Sequence, residues 1–363
     1  MKILLSILVL VILFYSCSTQ KEIINPKEKE KQIVVPEKKL TISFETLKSK
    51  TNSSLHSISV IDSLNLCACG ANGTYLRTTD GGLTWQSGKV KGFETLDFRS
   101  IQAFNSNNAI MMCTDAPAFF FKTTDGGKTW KRKYMSRDVK VSFNGMTFLD
   151  SDNGIAFSDP IDDRFFIITT KDGGDTWQQI SSLNIPAALK GEKGMAISGT
   201  SIAVLGKDLI WFGTESSDRS RIFFSQDAGD NWRAIDVHSS KGGGITGISS
   251  ISFKDELNGI AVGGNIKNEK NNSENCAITD DGGLTWQLEE NKQLSGFRSC
   301  VVWNDEYKFY LSTGRSGSIY SIDDGRTWIT IDNRDYNSIG ISKKDKSCFV
   351  VGNKGIIAKV KVK

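Results

Sequence analysis

The chain has little of what several classes of functional site require. It contains two histidines, His56 and His238, and five prolines in 363 residues. So few histidines give no basis for a histidine-rich metal site, and we expect no bound metal. The sequence has no haem motif and no G-x-G-x-x-G segment between a strand and a helix. We therefore also expect no redox cofactor.

The chain also lacks a large excess of either positive or negative charge. The 45 basic and 41 acidic residues give a net charge of +4 at pH 7. This balance indicates no polyanionic partner, and we predict no nucleic-acid binding. With 39% apolar residues, the chain can still fold into a large body with a core.

One eight-residue pattern is present six times. It reads S/T-x-D-x-G-x-[T/N]-W, and its tryptophans lie 45, 47, 55, 54 and 42 residues apart. Strand-like runs flank each copy, which predicts a hairpin turn at each box, with Asp accepting backbone N–H groups and Gly allowing positive φ. The turn carboxylates are Asp80, Asp125, Asp172, Asp227, Asp281 and Asp323, and the tryptophans that should wedge between sheets are Trp85, Trp130, Trp177, Trp232, Trp286 and Trp328.

The repeat length predicts the architecture. A period near fifty residues suits a four-stranded blade. After the sixth box, strand-like runs at 336–342, 347–352 and 355–362 lack a fourth strand, which the run at 40–47 can supply. We therefore predict an all-β, seven-bladed β-propeller of four-stranded blades over residues 40–363, closed by its N-terminal strand. In blade 4 we expect strands at 194–198 and 202–205, with an extra run at 209–213.

The boxes resemble the Asp-box, or bacterial neuraminidase repeat, of sialidases and sortilin-type receptors. The runs Asp97-Phe-Arg-Ser-Ile101, Phe157-Ser-Asp-Pro160 and Gly296-Phe-Arg-Ser299 resemble the photosystem II stability and assembly factor-like group of bacterial propellers. This resemblance covers nearly the whole mature chain and implies a binding or assembly role. Members of the group are often labelled oxidoreductase or glycosyl hydrolase. The resemblance also implies that the boxes lie on the face opposite the ligand site.

The N-terminal residues predict export and lipidation. Lys2 precedes the apolar run 3–14, and a small residue precedes Cys17, as in a bacterial lipoprotein signal. We predict that residues 1–16 are removed, that Cys17 carries lipid, and that residues 17–39 form a charged tether to a propeller in the cell envelope. The membrane would then be one partner. An uncleaved anchor or a plain secretory signal is the alternative.

Six further cysteines have two possible roles. Cys67, Cys69, Cys113, Cys276, Cys300 and Cys348 lie in apolar strand runs. They are predicted to be small buried apolar residues. A disulfide between blades, or a metal pair formed by Cys67 and Cys69, is the alternative.

The face opposite the boxes is predicted to carry the binding site, because long and dissimilar loops lie there. Alignment of the inner strands places polar, non-acidic side chains at the channel mouth, and two loop arginines lie nearby. The predicted ligand-binding residues are Arg99, Arg298, Lys193, His56, Asn144, Asn337, Arg164 and Arg315. Such a mouth favours a carboxylate, sulfate or phosphate, carried by an anionic saccharide or an envelope protein. The alternative is that Arg99 and Arg298 bond to loop carboxylates such as Asp97.

Hydrolysis of an acidic sugar is the second functional hypothesis. It would need two carboxylates facing each other, or a tyrosine nucleophile as in sialidases. The candidate acids on the loops of this face are Asp115, Asp159, Asp163, Glu215 and Asp218. The arginine-isoleucine-proline segment of sialidases is absent, and these acids can equally be solvated loop charges.

Overall fold

The computed structural model describes residues 40–216, 219–237, 246–268, 275–289 and 296–363. The predicted leader and tether, with Cys17, and the candidate acid Asp218 lie outside these residues. The described chain is built from β-strands, with two short 3-10 turns at Ser182–Asn184 and Asn353–Gly355.

The strands of the first three blades, with the closing strand β1, are β1 (Ile42–Leu47), β2 (Leu55–Val60), β3 (Leu66–Gly70), β4 (Thr74–Thr78), β5 (Gln86–Lys89), β6 (Phe98–Ala103), β7 (Ala109–Cys113), β8 (Phe119–Thr123), β9 (Lys131–Met135), β10 (Phe143–Phe148), β11 (Gly154–Ile161), β12 (Arg164–Thr170) and β13 (Gln178–Gln179). The strands of the remaining blades are β14 (Lys193–Gly194), β15 (Ile202–Leu205), β16 (Leu209–Glu215), β17 (Arg221–Ser225), β18 (Arg233–Asp236), β19 (Ile248–Phe253), β20 (Gly259–Gly263), β21 (Cys276–Thr279), β22 (Gln287–Leu288), β23 (Arg298–Asn304), β24 (Phe309–Gly314), β25 (Gly317–Ser321), β26 (Ile329–Asp332), β27 (Ser338–Ile341), β28 (Cys348–Val351) and β29 (Ile357–Val362).

These strands form seven antiparallel sheets, which confirms the predicted seven-bladed propeller. Blades 1, 2 and 3 are β2 to β5, β6 to β9 and β10 to β13, and blades 5 and 6 are β19 to β22 and β23 to β26. Within each blade, consecutive strands pair from the inside outward. The middle strands are buried on both faces, as in the all-buried run Ala109–Cys113, because each sheet packs against a sheet on either side.

The ring is closed by its own N-terminal strand. Blade 7 has the order β27, β28, β29, β1, and β1 pairs with β29 from Ile42 opposite Val362 to Leu47 opposite Ile357. The Tyr320 hydroxyl of blade 6 also donates a hydrogen bond to the Leu40 carbonyl at 3.2 Å. The beginning and the end of the propeller therefore protect each other's sheet edge.

Seven apolar clusters form the core, one at each blade boundary. The cluster between blades 7 and 1 contains Leu55, Trp85 and Phe349, and the one between blades 3 and 4 contains Phe157 and Phe212. All seven sheets and all seven clusters lie within residues 40–363, which form one compact unit.

The boxes are hairpin turns that the aspartate holds together. The Asp80 carboxylate accepts hydrogen bonds from the Thr78 hydroxyl at 2.7 Å, the Thr84 amide at 2.9 Å and the Thr84 hydroxyl at 2.5 Å. The Thr78 hydroxyl in turn accepts the Gly82 amide at 3.0 Å. Where box 4 has Asn231 in place of threonine, its side-chain amide donates to the Asp227 carboxylate at 2.8 Å. The same geometry is thus kept in the one divergent box.

The two ends of the strands define two faces of the disc. Each box packs on the connection between the first and second strands of its own blade, as where the Gly81 amide donates to the Leu64 carbonyl at 2.9 Å. We call this the box face, and the opposite side the top face. Since β2 starts on the top face, the preceding strand β1 runs toward that face, and the described chain begins at Leu40 on the box face.

Blade 4 differs from the prediction. Both β14 and β15 pair with β16, so this blade has five strands and its inner strand is divided in two. The chain leaves the strand after Gly194 and rejoins it at Ser201, whose carbonyl accepts the Gly213 amide at 3.5 Å. The predicted strand at 194–198 is therefore wrong, and 202–205 belongs to the first strand rather than the second. The inserted residues 195–200 have no counterpart in the other blades, so alignment of the inner strands did not reveal them.

Candidate functional site

Near the top face, the inner strands share a local irregularity at which one residue has no partner across the sheet. In blades 1, 2, 3, 5 and 6 the skipped residues are His56, Arg99, Asn144, Ser249 and Ser299. A bulge turns its extra residue away from the ladder and re-aims its side chain. Three of these residues, His56, Arg99 and Asn144, are among those that the sequence predicted at the channel mouth.

Arg298 does not lie at the mouth, and the alignment was wrong by one residue in blade 6. Arg298 pairs with Gly314, as Phe98 pairs with Cys113 in blade 2, and Ser299 takes the bulge position. The Arg298 side chain is fully buried. Its Nη1 donates to the Gly317 carbonyl at 3.1 Å, and burial lowers its pKa to about 10. Arg298 is thus a residue of the frame, placed where other blades carry an apolar side chain.

The inserted residues 195–200, which we call the plug segment, cross the central channel. The Ser198 hydroxyl donates to the Ser299 carbonyl of blade 6 at 3.0 Å. Arg99 of blade 2 donates through Nη1 to the Ala196 carbonyl at 3.0 Å. Gly199 lies so close to blade 1 that an added Cβ would come within 2.3 Å of a serine hydroxyl in β2. The plug segment therefore touches the wall opposite the blade from which it originates.

The channel is thereby divided into two cavities. The lower cavity, of about 560 Å³, opens toward the box face and is lined by inner strands and by Gly199 and Thr200. The upper cavity, of about 400 Å³, has Ile197 of the plug segment in its lining. The upper cavity is lined by the basic side chains of His56, Arg99 and Arg315, the apolar side chains of Ile197, Ile266 and Phe297, and the polar side chains of Ser299, Asp335, Asn337 and Asn353. It thus combines an apolar wall with basic and amide groups and one carboxylate, that of Asp335.

Asp97 organises the basic side of the upper cavity. Its Oδ2 lies 2.6 Å from Nη2 and 2.8 Å from Nε of Arg99, and its Oδ1 lies 3.1 Å from Nε2 of His56. Burial acts to raise the pKa of Asp97, but the neighbouring His56 and Arg99 outweigh it and hold that pKa below its usual value. The Asp97 amide donates to the Asp115 carboxylate at 2.7 Å. The bond between Arg99 and Asp97, which the sequence offered as the alternative to a free binding group, is present. It fixes the guanidinium at the edge of the cavity.

A third cavity, of about 490 Å³, lies beside the upper cavity on the top face, and Ile266 lines both. It contains Lys193 and Glu215, whose Nζ and Oε1 lie 2.8 Å apart, and this contact raises the pKa of Lys193. Nearby, the Asp159 carboxylate accepts the Asn144 side-chain amide at 2.7 Å. Burial raises the pKa of Asp159, and the charge of Glu215 adds to the effect. These residues form a polar site separate from the upper cavity.

The other predicted site residues are farther from the cavity. Asp163 is exposed in the tight turn between β11 and β12, with φ of 64°. Arg164 donates from Nη1 to the Ile185 carbonyl. Of the eight predicted ligand-binding residues, the upper cavity brings together His56, Arg99, Asn337 and Arg315.

Six of the ten residues that line the upper cavity were not predicted from the sequence. The plug segment and the apolar wall of Ile197, Ile266 and Phe297 were not predicted. A signal was present for the plug segment, because the spacing between boxes 3 and 4 is 55 residues, the longest of the five. The apolar wall comes from loops, where no repeat pattern guides alignment.

The cysteines, metal ligands and membrane spans can be assessed over the described chain. The six cysteines there are all buried and free, and burial raises the pKa of the Cys67 thiol to about 11. In the same residues, no group of three or more His, Cys, Asp or Glu side chains is placed to hold a metal ion. Within the described ranges, no helix is long and apolar enough to span a membrane.

Fold and boxes together define the class of protein: a closed, seven-bladed Asp-box propeller with a plugged channel. Residues 37–361 match the model of the photosynthesis system II assembly factor YCF48 family. The chain belongs to that family. No functionally curated protein matches it.

Two solved structures are similar to this chain in fold. One is described as YCF48 bound to D1 peptide. It has a TM-score of 0.64 at 18% sequence identity, and the match covers 87% of this chain and 94% of the chain in that structure. The other, YCF48 from Cyanidioschyzon merolae, has a TM-score of 0.61 at 18% identity and covers 87% and 98%. At this identity, the similarity shows a common fold.

Proposed function

We propose that this protein is a binding and assembly module whose upper cavity takes an extended polypeptide segment carrying carboxylates. The observation that carries the proposal is the composition of the cavity, in which Arg99 and Arg315 face a wall of Ile197, Ile266 and Phe297. Arginine side chains pair well with carboxylates, and an apolar wall suits the side chains of a peptide. A relative in the same family is described as bound to a D1 peptide, which supports a polypeptide as the ligand.

The position of the plug segment adds to this argument. It closes the channel below the upper cavity, so a segment bound there rests on a floor and does not thread the propeller. Arg99 is held by Asp97 and by the Ala196 carbonyl before any ligand arrives. Such preorganisation lowers the entropy cost of binding.

An anionic saccharide is the alternative ligand, and hydrolysis the alternative activity. The apolar wall favours a polypeptide over a charged sugar. Among the described candidate acids, Asp115 and Asp159 each accept a backbone amide, and Glu215 pairs with Lys193. These contacts are those of structural groups, so the proposed role is binding.

We further propose that the propeller is a lipoprotein of the bacterial cell envelope, held to a membrane by lipid on Cys17. The support is the leader pattern in residues 1–17. Mass spectrometry of the mature chain should show a lipid-modified Cys17, and Cys17→Ser should release the protein from the membrane fraction. An unmodified N-terminus would refute the anchor.

Selection of peptides on the purified propeller tests the binding role. Peptides chosen from a random library should be enriched in Asp and Glu beside an apolar residue. In fluorescence anisotropy, Arg315→Ala should weaken their binding about tenfold or more, because a charge-assisted hydrogen bond contributes about 1.5–3 kcal/mol. Lys193→Ala, in the neighbouring cavity, is the matched control and should change affinity less than about threefold. Equal affinity of the parent and Arg315→Ala, or displacement of the peptides by sialic or glucuronic acid, would refute the proposal.

A further inference from the structure

The box face carries an asymmetric set of exposed apolar side chains. Ten large apolar residues are well exposed in the described chain, and six of them lie on box-face turns. They are Leu64, Leu83, Leu257, Leu284, Tyr307 and Ile322, which we call the apolar rim. Leu83 is 80% exposed, although its turn is rigidly held by the Asp80 carboxylate. Single exposed apolar residues are common on protein surfaces, but their concentration on one face makes that face a candidate interaction surface.

The repeat provides an internal control for this pattern. In blades 1 to 5 the amide of the fourth box residue donates to a carbonyl in the turn between the first and second strands. In blade order, that carbonyl belongs to Leu64, Asn107, Asp152, Asp208 and Leu257. The sixth box residue is Leu83, Lys128, Asp175, Asp230, Leu284 and Arg326 in blades 1 to 6. The same backbone positions are therefore apolar in blades 1 and 5 and polar in blades 2, 3 and 4. The turn itself does not require leucine.

The apolar rim lies on both sides of the blade at which the N-terminal chain joins the propeller. Its residues lie on blades 5, 6 and 1, and blade 7 stands between blades 6 and 1 in the ring. Blade 7 contains β1, and the described chain begins beside it at Leu40, on the box face. The box-face turn of blade 7 carries Lys343, Lys344 and Lys346. Apolar tips flanked by lysines are a pattern of proteins that lie on membrane surfaces.

We infer that the apolar rim docks on the surface of a lipid bilayer, with the top face turned away from it. The inference rests on the lipid anchor proposed above. Because Leu40 lies on the box face, a chain anchored at Cys17 would bring that face toward a bilayer, which favours a bilayer over a protein partner. Between Cys17 and Leu40 lie residues 18–39, or 39 minus 17, which is 22 residues. A chain of 22 residues reaches at most about 75 Å, so lipid on Cys17 would confine the box face near the bilayer and raise its effective concentration there.

Charge plays the smaller part in this docking. Lys344 lies 3.4 Å from the Asp62 carboxylate, and Asp345 accepts the Ser63 amide at 2.7 Å. The lysines of blade 7 are therefore interspersed with acids, and attraction to anionic lipid is weak. The four leucines of the apolar rim supply most of the affinity by leaving water.

Vesicle partitioning of residues 40–363, which lack the anchor, tests the docking without the tether. Phosphatidylethanolamine and phosphatidylglycerol vesicles are sedimented with the propeller and with two double variants, Leu64→Asn/Leu83→Lys and Leu257→Asn/Leu284→Lys. Each variant installs the residues that blade 2 already carries, so the fold should be kept, and thermal unfolding verifies it. Each should lower the partition coefficient at least about tenfold. Val139→Asn, on the top face, is the control and should leave partitioning unchanged.

Three results would overturn the inference. They are no binding of the parent to the vesicles, a partition coefficient in both double variants equal to that of the parent, or a loss in Val139→Asn as large as that in the double variants. Sedimentation velocity is measured in parallel, and a dimer of the parent that the double variants abolish would assign the apolar rim to self-association instead. Peptide binding at the upper cavity is on the other face and should be unchanged in both double variants. Failure of docking and failure of the proposed binding role are therefore separately visible.

Discussion

The contact between Arg99 and Asp97 should be energetically coupled, and a double-mutant cycle measures this coupling directly. Arg99→Ala removes two hydrogen bonds to the Asp97 carboxylate and one to the Ala196 carbonyl. Asp97→Ala removes the carboxylate from Arg99 and His56. The cycle formed with the double variant isolates the term between Arg99 and Asp97.

The magnitude follows from the burial of the two side chains. A charge-assisted hydrogen bond contributes about 1.5–3 kcal/mol. The Arg99 and Asp97 side chains are 26% and 27% exposed, so solvent screens part of this energy, and we expect a coupling of about 1–3 kcal/mol. For a propeller of this size, about 1 kcal/mol corresponds to roughly 1.5 °C in Tm. If the free energy of unfolding of Arg99→Ala falls by the same 1–3 kcal/mol, its Tm should lie about 1.5–4.5 °C below that of the parent.

Chemical denaturation and differential scanning calorimetry give the four free energies. Lys193 and Glu215 form the matched control pair, because their nitrogen and oxygen also lie 2.8 Å apart while the Lys193 side chain is 57% exposed. Its coupling should be about 0–1 kcal/mol. A coupling between Arg99 and Asp97 no larger than that of the control pair would refute the conclusion that Asp97 fixes the cavity arginine.

Three further predictions concern stability. Hydrogen bonds from Thr84 and Thr129 hold the pKa of Asp80 and of Asp125 at about 2. Because these pKa values are lower in the folded state than in the unfolded state, the two carboxylates stabilise the fold above pH 4 and lose this effect as the pH falls toward 2. Tm should therefore be flat from pH 5 to 8 and drop below pH 4, and a Tm unchanged down to pH 2.5 would contradict this. Gly199→Val should lower the free energy of unfolding by about 1–3 kcal/mol, because the added side chain overpacks the plug segment against β2, and denaturant titration would show the loss. Gly191 is the control, since it has open space around it and a φ of 75°. Gly191→Val should act only through its backbone and leave the upper cavity intact. A chain that starts after β1 should expose the edge of β29 and unfold at lower temperature with a tendency to aggregate, and a Tm equal to that of the parent would mean that the closing strand is dispensable.

The repeat made the fold predictable. Six boxes with a carboxylate at one fixed place and a tryptophan at another specify a turn and a wedge in each blade, and the unpaired last strand requires the first one. The substitution Asn231 keeps the same bonds as threonine. The box rules are local, and the closing pair follows from the count of strands, so the sequence predicts all seven blades.

The site was less predictable because it depends on departures from the repeat. The plug segment is an insertion, and the run Phe297-Arg298-Ser299 resembles Phe98-Arg99-Ser100 while its register in the sheet is shifted by one. A shift of one residue in a strand moves a side chain from one face to the other. Arg298 is consequently buried at a blade boundary, whereas Arg99 lines the cavity. Only the pairing partners across the sheet distinguish the two.

Hydrogen exchange followed by mass spectrometry, with and without a saturating acidic peptide selected on the propeller, tests the binding role most directly. The account predicts slower exchange at residues 55–58, 97–101 and 195–200, which surround the upper cavity. Slower exchange confined to the box turns, such as 80–84, with the top-face segments unchanged, would contradict it.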